Sequence, residues 1–118
     1  MTSLVQYVVV RGDLYHKMKW PIGAMIAQAC HACTSIICLY KDDPNVLEYT
    51  ADLDNMRKVV LEAKDEENLC SLAEALQQND VDSKLWIEQP ENIATCLVTK
   101  PYKKEDVQRF FKNLKLFK

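Results

Sequence analysis

Leu4–Arg11 reads LVQYVVVR and Ile22–Tyr40 reads IGAMIAQACHACTSIICLY. The succession of these two stretches decides the fold. The first is rich in β-branched residues and almost continuously apolar, the pattern of a central strand covered on both faces. The second carries no formal charge over 19 residues. Pro21 stands just before it, where a missing N–H costs a helix nothing. A doubly covered strand followed by a long apolar helix predicts an α/β protein.

Working outward, Gly12–Lys19 reads as a polar loop, and Asp43-Pro44 as the cap and first turn of a helix ending near Asp54. Arg57–Ala63 is a second strand. Asp65 caps a helix over Glu66–Asn79, with Leu69, Leu72, Ala73 and Leu76 as its apolar stripe. Lys84–Gln89 and Ala94–Lys100 are strands joined by the turn at Pro90-Glu91-Asn92, hence antiparallel. A last helix is predicted over Lys103–Asn113, then an apolar tail, Leu114–Phe117. The order β-α-α-β-α-β-β-α predicts one domain over residues 1–118, a three-layer α/β/α fold with a mixed four-stranded sheet.

With 48% hydrophobic residues the chain can fill a core, and its net charge of −2 excludes the highly charged disordered class. That small net charge hides asymmetry: residues 1–41 carry +3, residues 42–99 carry −10 and residues 100–118 carry +5. Solvated helix lysines are the expected reading of this; the alternative is two basic ends that converge on one face and attract a polyanion. Five cysteines cannot all pair, and Met1–Leu4 lacks the features of an export signal, so free thiols and a cytoplasmic setting are expected. Ile22–Tyr40 is long enough to cross a bilayer. Gln28, His31, Thr34 and Ser35 would be costly in lipid, so a buried core helix is expected and no membrane partner.

The start of that helix, around Gly23, follows the carboxyl end of the first strand, a favoured place for ligands and anions in α/β sheets. Gln28 and His31 share one helix face. On spacing alone, a hydrogen-bonded core histidine is expected ahead of a catalytic one. Cys30-His31-Ala32-Cys33 lies too far inside the helix for a redox pair, and Cys38, Cys70 and Cys96 supply no second ligand pair, so neither metal nor cofactor is expected. Two glycines in the whole chain exclude phosphate loops and dinucleotide fingerprints. Chemistry alone points to a pocket near His31, with Glu88 and Thr95.

Arg11-Gly12-Asp13-Leu14, then Gly23, then Ala27-Gln28-Ala29-Cys30-His31-Ala32 resembles the type 2 peptidyl-tRNA hydrolases, whose pattern is R-x-D-L, a loop, G-K-G-K and A-Q-x-x-H-A. The likeness continues through Lys58–Leu61, Thr95–Leu97, Pro101, Val107 and Leu114–Leu116. Within the family, Trp20–Ala24, Met56–Ala63 and Trp86–Cys96 resemble the domain-containing branch.

The resemblance implies a four-stranded mixed sheet, often in a homodimer. It also implies hydrolysis of the ester joining a peptide to the 3′ ribose of tRNA. His31, Glu88 and Thr95 take the catalytic positions. Gln28, Asn92, Gly23, Arg11, Asp13, Lys17 and Lys19 take the substrate-binding ones. Glu88 stands for the aspartate of the family's D-A-G-x-T turn and Asn92 for its threonine, in a shorter turn. The G-K-G-K lysines correspond to Ile22 and Ala24, so Lys17 or Lys19 would have to supply the cation. A hydrolase and a non-catalytic tRNA-binding module both remain open at this point.

Overall fold

The computed structural model describes residues 3–118. Strand β1 (Leu4–Arg11) is buried at every position, and its side chains alternate between two cores. Val5, Tyr7 and Val9 pack with Leu69 and Leu76 of helix α4 (Glu66–Gln78) on one face. Val8 and Val10 pack with Met25, Ala32 and Ile36 of helix α2 (Ile22–Leu39) on the other. The period-two alternation of a strand thus makes the three layers. Burying such side chains on both faces contributes roughly 1.5–3 kcal/mol for each large aliphatic one.

Strand β2 (Lys58–Ala63) runs parallel to β1 from Gln6↔Lys58 to Arg11↔Ala63. Strand β4 (Ile93–Thr99) is antiparallel to β1 on its other side, and β3 (Ser83–Glu88) is antiparallel to β4. Two short strands extend the expected four. β5 (Tyr102–Lys103) pairs with the start of β1, and β6 (Lys115–Leu116) pairs with β2, giving a six-stranded sheet. The apolar tail therefore closes one sheet edge with backbone hydrogen bonds, the Phe117 N–H donating to the Val60 carbonyl among them.

Three further expectations are corrected. Gly12–Lys19 is not all loop: Gly12–His16 forms the short helix α1, anchored by fully buried Leu14, with Lys17 and Met18 N–H groups both donating to the Asp13 carbonyl. The last helix is only Lys104–Val107 (α5), followed by a 3₁₀ turn over Gln108–Phe110. The tightened turn lets Phe111 stack on Tyr7, with centroids 4.3 Å apart. Helix α2 is no buried core helix either. It covers the sheet with a single stripe, Met25, Gln28, Ala32 and Ile36, while Ile22, Ile26 and Leu39 stand about half exposed or more. It is long and apolar enough to cross a membrane by length and composition. In the fold its stripe is committed to β1, β3 and β4.

Helix α3 (Pro44–Ala51) begins as the sequence predicts, with Asp43 accepting from the Asn45 and Val46 N–H groups. It ends at Ala51, short of the expected Asp54, and a separate 3₁₀ turn over Leu53–Asn55 follows. All five cysteines are free.

Candidate active site

The site is built on an irregularity. In the β3–β4 register Trp86 pairs with Cys96 but Ile87 pairs with Ala94, so Thr95 has no partner and β4 bulges there. A bulge leaves the extra residue unpaired and re-aims its side chain. Cys96 belongs to the core beneath α2, whereas Ala94 belongs to the core beneath α4. Thr95, between them, turns towards α2 and meets Gln28. Without the bulge, strict alternation would have sent Thr95 to the other face.

Two groups hold Ala94 in place. Its N–H donates to Glu66 Oε2 at 2.8 Å, and its carbonyl accepts from Arg11 Nη1 at 3.1 Å. Arg11 is itself fixed by paired hydrogen bonds to Asp13, at 3.1 and 2.7 Å, both side chains being buried. Such a fork-to-carboxylate pair is among the stronger protein hydrogen-bond arrangements. Arg11 and Asp13 therefore brace the bulge that aims Thr95.

From Thr95 a chain of hydrogen bonds runs outward. Thr95 Oγ1 donates to Gln28 Oε1 at 2.8 Å, and Gln28 Nε2 donates to Glu88 Oε2 at 3.1 Å. Trp86 Nε1 donates to the other carboxylate oxygen at 3.1 Å. This fixes the amide of Gln28, because the reverse orientation would set its oxygen against the carboxylate. Donation from Trp86, then from Gln28, lowers the Glu88 pKa below the ordinary glutamate value. Desolvation opposes this and nearby His31 assists it. A stabilised, ionised carboxylate that still reaches solvent can take a proton from water.

His31 lies on the exposed side of α2, stacked on the Trp86 ring at 4.8 Å with 23° between planes. Trp86 thus links the two residues: its indole N–H serves Glu88 and its face supports His31. Trp86 was missed as a site residue, although it and Glu88 stand at i and i+2 of one strand and so share a face. Glu66 was missed too, since nothing local marks a helix carboxylate as the partner of a distant strand N–H.

The other predicted residues divide. Gly23 lies at the exposed start of α2, where no side chain caps the helix and an added Cβ would meet nothing within 4 Å. Asn92 adopts φ 59°, a left-handed conformation that asparagine tolerates, and its Oδ1 accepts from Gln89. Among the described residues it makes no hydrogen bond to Gln28 or Thr95. Lys19 turns back to donate to the His16 carbonyl, and Lys17 lines a different cleft, beside β2. No cluster of metal-ligand residues occurs among the described residues.

The chain matches the family described as Peptidyl-tRNA hydrolase PTH2 over residues 4–117. It is 53% identical over 116 residues to the proteins of Mus musculus and Homo sapiens that share the name "Putative peptidyl-tRNA hydrolase PTRHD1", covering 98% of this chain and 83% of each relative. It is 30% identical over 118 residues to the "Peptidyl-tRNA hydrolase" of Methanopyrus kandleri, covering 96% of this chain and 97% of that one. A match of that extent places the chain in the type 2 peptidyl-tRNA hydrolase family, to which it belongs.

Proposed function

We propose that this protein hydrolyses the ester between a peptide's carboxyl end and the 3′ ribose of tRNA, in the cytoplasm. The observation that carries the reading is the chain Trp86–Glu88–Gln28–Thr95, which holds an ionised carboxylate and a buried amide in one fixed relation. Glu88 takes a proton from water as its oxygen attacks the ester carbonyl. The developing oxyanion meets the uncapped N–H groups at the start of α2, where Gly23 leaves open space for it. As the ester bond breaks, the proton held by Glu88 passes to the departing ribose oxygen. His31, held on Trp86, flanks the same carboxylate.

One observation favours a second reading. Ile22 and Ala24 stand where the family has lysines, and the buried Arg11 nearby is committed to Asp13 and Ala94. A fold retained for tRNA binding alone would look like this. Turnover of a peptidyl-tRNA separates the two. The wild type is expected to release tRNA, E88Q to lose about 10²–10⁴-fold in rate, and H31A to lose less. Bound tRNA with no turnover in the wild type establishes the binding module.

A further inference from the structure

A cleft of about 720 Å³ opens at the carboxyl ends of the parallel pair β1 and β2, on the far side of Asp13 from the hydrogen-bonded chain. Lys17, Lys64, Lys112 and Lys115 line it. They come from three separate parts of the sequence: the basic amino-terminal stretch, the end of β2, and the basic tail that β6 pins beside β2. The two basic ends therefore meet at one place. All four side chains are exposed, and none has a hydrogen-bond or ion-pair partner among the described residues. By contrast, Lys58 and Lys100 are tied to side chains of the fold.

Two carboxylates also line the cleft, and both are engaged. Asp13 is held by Arg11. Glu62 is buried on the floor, 3.3 Å from His16 Nε2, in space that a Cβ on Gly12 would occupy. The outward-facing charge is that of the four ammonium groups. No Phe, Tyr, Trp or Arg lines the cleft, and its one imidazole, His16, is engaged by Glu62 and packed against the rings of Tyr15 and Phe117. It therefore lacks the stacking platforms of single-strand binders and the forks that read guanine. Mobile point charges without a base-reading element fit the phosphate backbone of a duplex, which positions a nucleic acid without reading its sequence.

We infer that this cleft binds the backbone of double-helical RNA and holds the stem of the substrate while its 3′ strand reaches Gln28, Glu88 and Thr95. The direction of the 3′ strand rests on the hydrolase reading; the duplex contact does not. Asp13 lines the cleft and, through Arg11, holds the residue next to Thr95, so the two sites share a wall.

The test measures binding of a short RNA duplex, a single strand of the same length, and ATP, over a range of salt. It compares wild type with K64Q/K112Q/K115Q and with K41Q/K84Q/K103Q, a control of equal charge whose lysines lie outside the cleft. Five of these six lysines are exposed and Lys84 is half-buried on β3, and circular dichroism checks that both variants fold. Wild type is expected to prefer the duplex. The cleft variant should bind it at least ~10-fold more weakly at low salt, with the log–log salt slope reduced by about 3, near 0.9 per lost phosphate contact. The control should change neither.

Unchanged affinity and slope in the cleft variant, equal losses in the control, no duplex binding by wild type, or ATP that duplex RNA does not displace would each overturn the inference. Kinetics separate it from the hydrolase reading. With peptidyl-tRNA the cleft variant should raise KM and keep kcat, and it should leave hydrolysis of an N-acylaminoacyl ester of adenosine unchanged. If wild type shows no turnover but the cleft lysines still govern duplex binding, the hydrolase reading falls and the cleft stands. Turnover with cleft lysines that do not matter gives the converse.

Discussion

On one side of the Arg11–Asp13 pair, each group of the hydrogen-bonded chain is spoken for: the Thr95 hydroxyl, both ends of the Gln28 amide and both oxygens of Glu88. On the other side, four lysines line an open cleft with no partner among the described residues. The first arrangement fixes direction, as a reaction requires, because misplaced groups forfeit rate. The second leaves charge free to adapt to a backbone whose sequence varies. One pair of residues serves both: Arg11 holds the bulge on one side, and Asp13 walls the cleft on the other.

That pair is where the comparison breaks most easily. R11M leaves the buried Asp13 carboxylate without its partner and takes the Ala94 carbonyl's donor away. Breaking a buried ion pair from one side costs about 3–5 kcal/mol. The midpoint of urea unfolding should fall accordingly, and R11M/D13N should recover part of the loss by removing the stranded charge. A single variant as stable as wild type would mean that the bulge holds without its brace.

T95V tests the ordered side with less damage. It keeps the shape of Thr95 but removes the hydroxyl, leaving buried Gln28 Oε1 without its donor. An unsatisfied buried acceptor costs about 1–3 kcal/mol. Peptidyl-tRNA turnover should fall with it, because the amide that orients Glu88 is freed to rotate. Duplex binding in the cleft should not change. Loss of both functions together would show that the ordered chain and the cleft are not separable.

The legible part of this molecule is the part governed by local periodicity. The two-faced apolarity of Leu4–Arg11 and the Asp43 and Asp65 caps follow from rules acting within a few residues. The i, i+3 spacing of Gln28 and His31 misled, because Gln28 joins the buried stripe of α2 and His31 stands exposed, outside the core. What escaped reading depends on distant partners. Gly12–His16 is too short to be helical by itself and is stabilised by burial of Leu14. The final helix shortens because Phe111 stacks on Tyr7, more than a hundred positions earlier. The inward turn of Thr95 requires a bulge that alternation forbids, held by Arg11 and Glu66 from other elements. Lys17 and Lys64 share a cleft with Lys112 and Lys115 only because the tail adds a strand to β2. Charge counting offered convergence only as an alternative to solvated lysines and gave it no place.

The smallest effect sharpens the comparison most, because it reads a single hydrogen bond. The ionised form of Glu88 is favoured by donation from the Trp86 indole and then from Gln28, so its pKa lies below the usual glutamate value. If Glu88 is the base, kcat/KM should fall in acid only once the pH drops through that lowered pKa. W86F keeps a ring for His31 to stack on but removes the indole N–H. The ionised form then loses its strongest hydrogen-bond donor, the pKa rises, and the acid limb of kcat/KM moves to higher pH. At pH well above the limb the carboxylate is ionised in both proteins, so the rates there should nearly coincide. A limb that stays put in W86F assigns the titration to some other group, whereas a uniform loss at every pH makes Trp86 a support for His31 and not for Glu88. The cleft offers no counterpart: Trp86 does not line it, so duplex binding by W86F should match wild type at each pH.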